Sequence, residues 1–330
     1  MRIAACAGLL PAQADFIIYK TIDSLPVNLP CCFSCFDVII AKALISYCIV
    51  IRITSGLRLG RSKMDEIREL QMAALGILVD VDRFCRDNNI AYFLGEGTLL
   101  GAVRHNGFIP WDDDVDLIMK RADYQRFLKI APRSLGSKYE VQHASTVENY
   151  WSPFIKVRLI DCNDNHRQRH IAHLTKNNGP CVDIFPMEFV PEEKSMSQTL
   201  QSKEIRFLRG MLSFKLGLRK PKNFKQRIIH AFSALFTVKE IHRRLDRAFN
   251  RYNSSPTEFI ATLSSYHKLE CQTVPAKVYD NTVYMNFEGY QLPVPGEYDF
   301  LLRKIYGDYM TLPPEEERAI KHHFVLGDGH

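Results

Sequence analysis

No apolar run in this 330-residue chain stands out as bilayer-spanning. The longest near the start, Val38 to Ile51, covers 14 residues and contains Lys42, against the roughly 20 that a spanning helix needs. Its flanks, Asp37 before and Arg52 after, do not fit a secretory leader, which places basic residues before the apolar core and small ones after it. The nine cysteines form no disulfide framework: Cys6, Cys31, Cys32, Cys35 and Cys48 crowd the start and the rest are scattered. Cys32 and Cys35 have CxxC spacing without a second pair, so reduced cytosolic thiols are expected rather than a metal or redox centre. Net positive charge is small once the first 63 residues are set aside. The net charge is +6, but residues 1–63 hold seven Lys/Arg against three Asp/Glu, which leaves only +2 for the remaining 267. No nucleic-acid partner is expected from that balance. Internal repeats and low-complexity tracts are also missing.

Residues 1–63 show no periodicity or capping logic that joins them to the rest of the chain. They read as an N-terminal extension, either disordered or upstream of the working start at Met64. From Met64 the chain becomes regular. Ile67, Leu70, Ala74, Leu75, Leu78, Val81 and Cys85 recur every third or fourth residue with charges between them, an amphipathic helix that Asp87-Asn88-Asn89 stops. A short strand comes next, over Ile90 to Leu94. Gly95-Glu96-Gly97-Thr98 then turns into a second helix, Leu99 to about Arg104, with Thr98 as the expected N-cap. Val115 to Met119 reads as a strand, Asp123 to Ile130 as a helix and Phe154 to Ile160 as a strand. Cys181 to Phe185 reads as a buried strand closed by Pro186. Residues 195–251 are helical with a break at Lys220-Pro221-Lys222. Val283 to Phe287 is a strand and Asp299 to Tyr306 a helix. The pattern predicts an α+β fold: a mixed-sheet core over 64–190, followed by a helical, basic part over 191–330.

Four carboxylates, Asp112, Asp113, Asp114 and Asp116, directly precede the apolar run Leu117, Ile118, Met119. In an extended strand alternate side chains share a face, so Asp114 and Asp116 point one way, Asp112 joins them if the strand starts early, and Asp113 faces away. Neighbouring carboxylates repel, and burying them is unfavourable without a cation. A hard divalent ion, Mg²⁺ with Mn²⁺ as a substitute, accepts carboxylate oxygens and keeps positions for water and phosphate. Asp183, inside the apolar strand Val182 to Phe185, is the candidate third carboxylate. An acidic turn on a solvated edge is the competing reading, and the apolar residues after Asp116 count against it. The glycines at 95, 97 and 101 near a helix start allow a phosphate to approach backbone N–H groups and the positive helix end. Gly97 and Thr98 are thus candidate phosphate-binding residues. Arg104 and His105 could add positive charge, as could Lys156 and Arg158, which alternate onto one strand face; for that pair a solvated strand face remains the alternative.

Four motifs carry a resemblance. Gly-Thr-Leu-Leu-Gly-Ala-Val-Arg-His (97–105), Gly-Phe-Ile-Pro-Trp-Asp-Asp-Asp-Val-Asp (107–116), Val-Asp-Ile-Phe-Pro (182–186) and Tyr-Gly-Asp-Tyr-Met-Thr-Leu-Pro-Pro (306–314) resemble the LicD family. That family includes bacterial phosphocholine transferases and is similar to the eukaryotic fukutin-related transferases. The resemblance covers about Met64 to His323. It implies a nucleotidyltransferase fold of the DNA polymerase β type, with Asp114 and Asp116 as the metal-binding pair, Asp183 as third carboxylate, and Gly97-Thr98 at the glycine-hydroxyl turn. It further implies transfer of a phospho-substituent such as phosphocholine from a CDP-activated donor to a hydroxyl of a cell-surface glycan, lipopolysaccharide or teichoic acid, or a lipid-linked glycan precursor. Glu96 stands where many members carry a small residue.

Residues 203–251 contain fourteen Lys/Arg and three Asp/Glu, interleaved with apolar residues such as Phe207, Leu208, Met211 and Phe214. Such a segment either contacts an anionic membrane or forms a solvated basic face over a core helix. The expected location is cytoplasmic, in the peripheral case at the inner membrane face. Glu288 and Asp308, among aromatics, are candidates for shaping the acceptor or base pocket, with plain aromatic packing preferred for Asp308. Three other readings compete: an NTP-dependent nucleotidyltransferase that releases pyrophosphate, a glycosyltransferase with an Asp-x-Asp metal site, disfavoured because no run of several parallel strands precedes the motif, and a catalytically inactive glycan- or membrane-binding protein.

Overall fold

The computed structural model describes residues 63–160, 162, 168–265 and 267–318. Val38 to Ile51, the amino-terminal cysteines and His322-His323 lie outside them. The expected long helix is α1 (Lys63–Asp87), and every residue of its apolar stripe is buried. It ends where Asn89 adopts a φ of 50° and the Ile90 N–H returns to the Cys85 carbonyl at 2.9 Å, a closure that suits asparagine. Strand β1 (Phe93–Leu94) is next, then α2 (Glu96–His105), β2 (Asp116–Lys120), α3 (Arg121–Ser134), β3 (Tyr139–Gln142), β4 (Ile155–Leu159) and the ten-residue β5 (Cys181–Val190). Helices α4 (Met196–Lys215), α5 (Phe224–Ser233) and α6 (Val238–Phe249) come after it, each opened by a side-chain cap: Ser195, Asn223 and Thr237. The chain then returns through β6 (Phe259–Ala261), α7 (Leu269–Gln272) and β7 (Val274–Pro275) to the hairpin β8 (Thr282–Phe287) and β9 (Tyr290–Pro295), and finishes with α8 (Tyr298–Tyr306).

The architecture is α+β with one curled mixed sheet. Its strand order is β1-β2-β5-β4-β3, with β6 added to β5 and β7 to β6; only β2 and β5 run parallel. The described residues belong to one compact unit, in which strands from 191–330 extend the sheet begun by 64–190. Period-two alternation divides the sheet. Leu117, Met119, Ile155, Val157, Val182 and Ile184 enter the main core together with residues of α1, α2 and α3. Asp116, Lys156 and Asp183 therefore face the other side. A second core joins α4 and α6 through Ile205, Leu208, Leu212, Ile241, Leu245 and Phe249.

Three local expectations need correction. The strand after α1 pairs only at Phe93 and Leu94. Thr98 is not a helix cap; Gly95 occupies that position, and Thr98, one turn inside α2, accepts the Asp116 N–H at 2.8 Å through its hydroxyl. Pro186 does not close its strand. The Asp183 N–H donates to the Val115 carbonyl at 2.8 Å, so odd-numbered residues of β5 aim their N–H groups at β2 and Pro186 turns its nitrogen to the opposite edge. There pairing with β4 has ended at Ile184 and pairing with β6 begins at Glu188, so no ladder bond is lost.

Candidate active site

Strand register builds the centre of the site. Asp116 on β2 pairs with Asp183 on β5, which pairs with Lys156 on β4, so three charged residues stand in one row across adjacent strands. Neighbouring strands are about 4.8 Å apart and paired residues point to the same face. Lys156 Nζ is ion-paired with Asp183 Oδ2, and the Cys181 thiol donates to Asp183 Oδ1 at 3.4 Å. Burial opposes the charge of Lys156, but Asp183 outweighs it and holds the ammonium above its ordinary range. Burial pushes the Cys181 thiol up to about 11, which leaves it a donor and not a nucleophile.

The row lines a cavity of about 1530 Å³, together with Glu96, Gly97, Asp112, Asp114 and Tyr306. Five carboxylates thus converge from three chain segments: the start of α2, the run into β2, and β5. Burial, reinforced by Asp114, Glu96, Asp183 and Asp112, holds the Asp116 carboxyl well above its usual range. Burial and then Asp114 and Asp113 do the same for Asp112, and burial raises Glu96. The Tyr306 hydroxyl, buried among these carboxylates, is also pushed well up and stays protonated. One oxygen each from Asp112, Asp113 and Asp114 lie within 4.8 Å of one another. Asp113 is buried and does not line the cavity.

These carboxylates crowd hard oxygen donors together at partly desolvated positions, which fits a divalent cation and opposes an empty, fully ionised cluster. Beside them the backbone comes close: a Cβ on Gly97 would lie 2.7 Å from Asp112 Oδ2. Glycine there keeps open the approach to the α2 terminus, whose dipole favours anions. Gly101 has a packing role instead, since a Cβ would meet the Gly107 carbonyl at 2.5 Å.

Of the residues expected from sequence, Gly97, Asp114, Asp116, Lys156 and Asp183 line this one cavity. Thr98 is turned away to β2. Arg104 donates to the Tyr309 carbonyl at 2.7 Å, and neither it nor His105 lines the cavity. Arg158 shares the face of Lys156 but is wholly buried, donating to Gln142 at 2.7 Å, to Gln168 at 2.8 Å and to the Gly179 carbonyl. It pins the 168–179 segment to the sheet and is not solvated. Glu288 lies outside the cavity in a forked ion pair with Arg68, 2.6 and 2.9 Å, while also accepting the Phe108 N–H at 3.1 Å. Asp308 accepts the Thr311 hydroxyl at 2.7 Å.

Sequence reading missed Glu96 as a cavity residue, along with its neighbours. Glu96 takes a φ of 42°, a left-handed conformation that costs a non-glycine residue about 1–2 kcal/mol. His267 Nε2 lies 3.5 Å from Glu96 Oε2, Gln272 donates to Oε1 at 3.3 Å, and the His267 ring meets Tyr306 edge-on at 5.4 Å. The only signal in the sequence was a charged residue inside a glycine turn. Basic residues line the same cavity: Arg206 and Arg209 of α4, with Lys194, Arg219 and Lys268.

The family described as LicD/FKTN/FKRP, nucleotidyltransferase domain, matches residues 89–212, which contain β1 to β5 and all five carboxylates. The chain is 33% identical over 259 residues to the lipopolysaccharide cholinephosphotransferase LicD of Haemophilus influenzae, covering 78% of this chain and 96% of that one. It is also 36% identical over 135 residues to an uncharacterized protein of Rickettsia typhi, 41% of each chain. With so high an identity running through nearly the whole of the Haemophilus protein, the chain belongs to the LicD family.

Proposed function

We propose that the chain transfers a phospho-substituent, phosphocholine or a close analogue, from a CDP-activated donor to a hydroxyl of a cell-surface glycan or its lipid-linked precursor, using Mg²⁺ or Mn²⁺. The chain is a phosphotransferase of the LicD type, its core taken as a nucleotidyltransferase fold of the DNA polymerase β kind. What supports the reading above all is the convergence of Glu96, Asp112, Asp114, Asp116 and Asp183 on one cavity beside the close-approach glycine at 97. The similarity to a cholinephosphotransferase over most of the chain supports the same choice of substituent.

Phosphoryl transfer needs alignment and neutralised charge more than covalent help from the protein. Asp114, Asp116 and Asp183, which line one cavity, would hold the divalent cation; the oxygen trio of Asp112, Asp113 and Asp114 adjoins them through Asp114. When bound, the ion neutralises charge on the diphosphate and on the oxygens entering and leaving phosphorus. Gly97 lets the donor diphosphate approach the start of α2. Asp183, ion-paired to Lys156 Nζ, accepts the acceptor hydroxyl proton as the new O–P bond forms and the bond to CMP breaks. The Tyr306 hydroxyl is a hydrogen-bond donor toward a phosphate oxygen.

The test is incubation with a panel of cytidine diphosphate donors and Mg²⁺, with product analysis. Release of CMP coupled to a phosphorylated acceptor is the expected result. Asp116→Asn and Asp183→Asn should each lower turnover at least about 100-fold, the scale of losing a metal's supporting groups. Pyrophosphate release from NTPs would replace this reading with nucleotidyl transfer, and near-normal turnover in either variant would remove the metal assignment.

A further inference from the structure

We infer that helix α5 is a membrane-docking element that lies along an anionic lipid surface through an exposed apolar stripe. Residues 205–239 contain nine Lys/Arg and no Asp or Glu, so the acid-free stretch runs from α4 across α5 to the start of α6. No helix among the described residues is long and apolar enough to cross a membrane, so any contact is at the surface.

The two faces of α5 are occupied differently. Ile229 and Ser233 form the inner face, continued by Phe236 beyond the helix end: Ser233 is buried, Ile229 and Phe236 pack on the second core, and Ile229 meets α4 at Gly210. Phe224, Ile228 and Phe232 recur every fourth residue on the other side and are 76%, 54% and 43% exposed, and Leu235, in the turn just after the helix, is 74% exposed. Phe207 of α4, itself 38% exposed, continues the patch, with its ring 5.9 Å from that of Phe232. Single exposed apolar residues are ordinary, but a contiguous stripe marks a contact surface.

Charge complementarity selects the occupant. Arg219, Lys220, Lys222, Lys225 and Arg227 border the stripe, all exposed, and among the described residues none of them is ion-paired. An apolar face flanked by unpaired cations suits headgroups of negative charge with acyl chains beneath them. A second copy of this face would set like charges against each other. The segment is also continuous with the site, because Leu218 and Arg219, between α4 and α5, line the cavity. Docking through α5 brings Leu218 and Arg219, and with them the cavity, to the lipid surface, where a lipid-linked acceptor would be held. In purpose this deepens the proposed reaction, but binding itself is measured without donor, acceptor or metal, so either idea can fail alone.

The experiment is sedimentation of the full chain with vesicles of phosphatidylcholine alone and of phosphatidylcholine mixed with phosphatidylglycerol. Binding should require the anionic lipid and weaken with salt. The exposed triple change Lys222→Glu, Lys225→Glu, Arg227→Glu should reduce partitioning by roughly fivefold or more per cation. The change Phe224→Ser, Ile228→Ser, Leu235→Ser should reduce it by at least about 100-fold, since each buried side chain is worth about tenfold or more. Unchanged circular dichroism would show that both variants are folded. Equal binding to neutral vesicles, or partitioning indifferent to both variants, overturns the inference. So does a dimer in solution that the serine variant dissolves, for then the stripe's occupant is a second copy.

Discussion

Raising the pH should make divalent cations matter more to the stability of this fold. Asp116, Asp112 and Glu96 all have carboxyls held above their ordinary range, in each case by burial first and by neighbouring carboxylates after it. The folded chain therefore keeps protons that the unfolded chain releases near pH 4. For a raised pKa the stability contributed is complete below the unfolded value and is lost as pH climbs through the folded one. Each proton kept only by the fold tilts the unfolding free energy by about 1.4 kcal/mol per pH unit. One shared proton gives that slope, and all three groups together set a ceiling of about 4 kcal/mol per unit. Against a total stability of about 5–15 kcal/mol, even the smaller slope is readable. On the proposed reading Mg²⁺ would compete with protons for the same oxygens, so the stabilisation it confers should grow with pH at this rate. Two half-buried histidines act oppositely: desolvation lowers His143 to about 4 and lowers His242 as well, so their contribution is lost as pH falls below about 6.5. Neither lines the cavity, and the difference between Mg²⁺ and EDTA removes them. The assay is urea unfolding with each additive between about pH 5 and pH 8. A Mg²⁺ effect that stays flat or shrinks as pH rises refutes the argument.

Particular contacts set four further outcomes. Thr98→Val removes the acceptor of the buried Asp116 N–H and should cost about 1–3 kcal/mol in chemical denaturation, while Thr98→Ser should restore most of it. Gly101→Ala forces a Cβ onto the Gly107 carbonyl and should destabilise the fold by about 1–3 kcal/mol, whereas Gly97→Ala disturbs only the Asp112 carboxylate; turnover should fall in the latter with the melting temperature nearly kept. Lys156→Met leaves Asp183 without its buried partner and should lower stability by about 3–5 kcal/mol in EDTA, less with Mg²⁺ present, as read by paired unfolding curves. Arg68→Ala breaks a half-exposed ion pair remote from the cavity; denaturation should show a loss of about 1 kcal/mol or less, and steady-state kinetics an unchanged kcat.

The α1 stripe, the alternation of β4 and the break at Lys220-Pro221-Lys222 were legible because they depend on spacing alone. Thr98 misled because a hydroxyl before a helix reads as a cap, and only the approach of β2 reveals a better partner in the Asp116 N–H. Pro186 misled similarly: a proline stops a strand unless the neighbouring strands leave a gap at its nitrogen, and the gap between β4 and β6 belongs to the sheet. Arg158 and Lys156 look equivalent in sequence, yet one anchors a covering segment and the other faces Asp183.

By itself the sequence determined which residues are charged within apolar surroundings, and which share a face of one strand or helix, because those properties repeat along the backbone with fixed geometry. It did not determine who meets whom across elements. The row Asp116-Asp183-Lys156 exists because β2 and β4 pair with β5 in one register, and Glu96 meets His267 and Tyr306 because the chain returns more than a hundred residues later. Those encounters are decided by non-local strand pairing and core packing, whose energies depend on surfaces that exist only once the chain has folded.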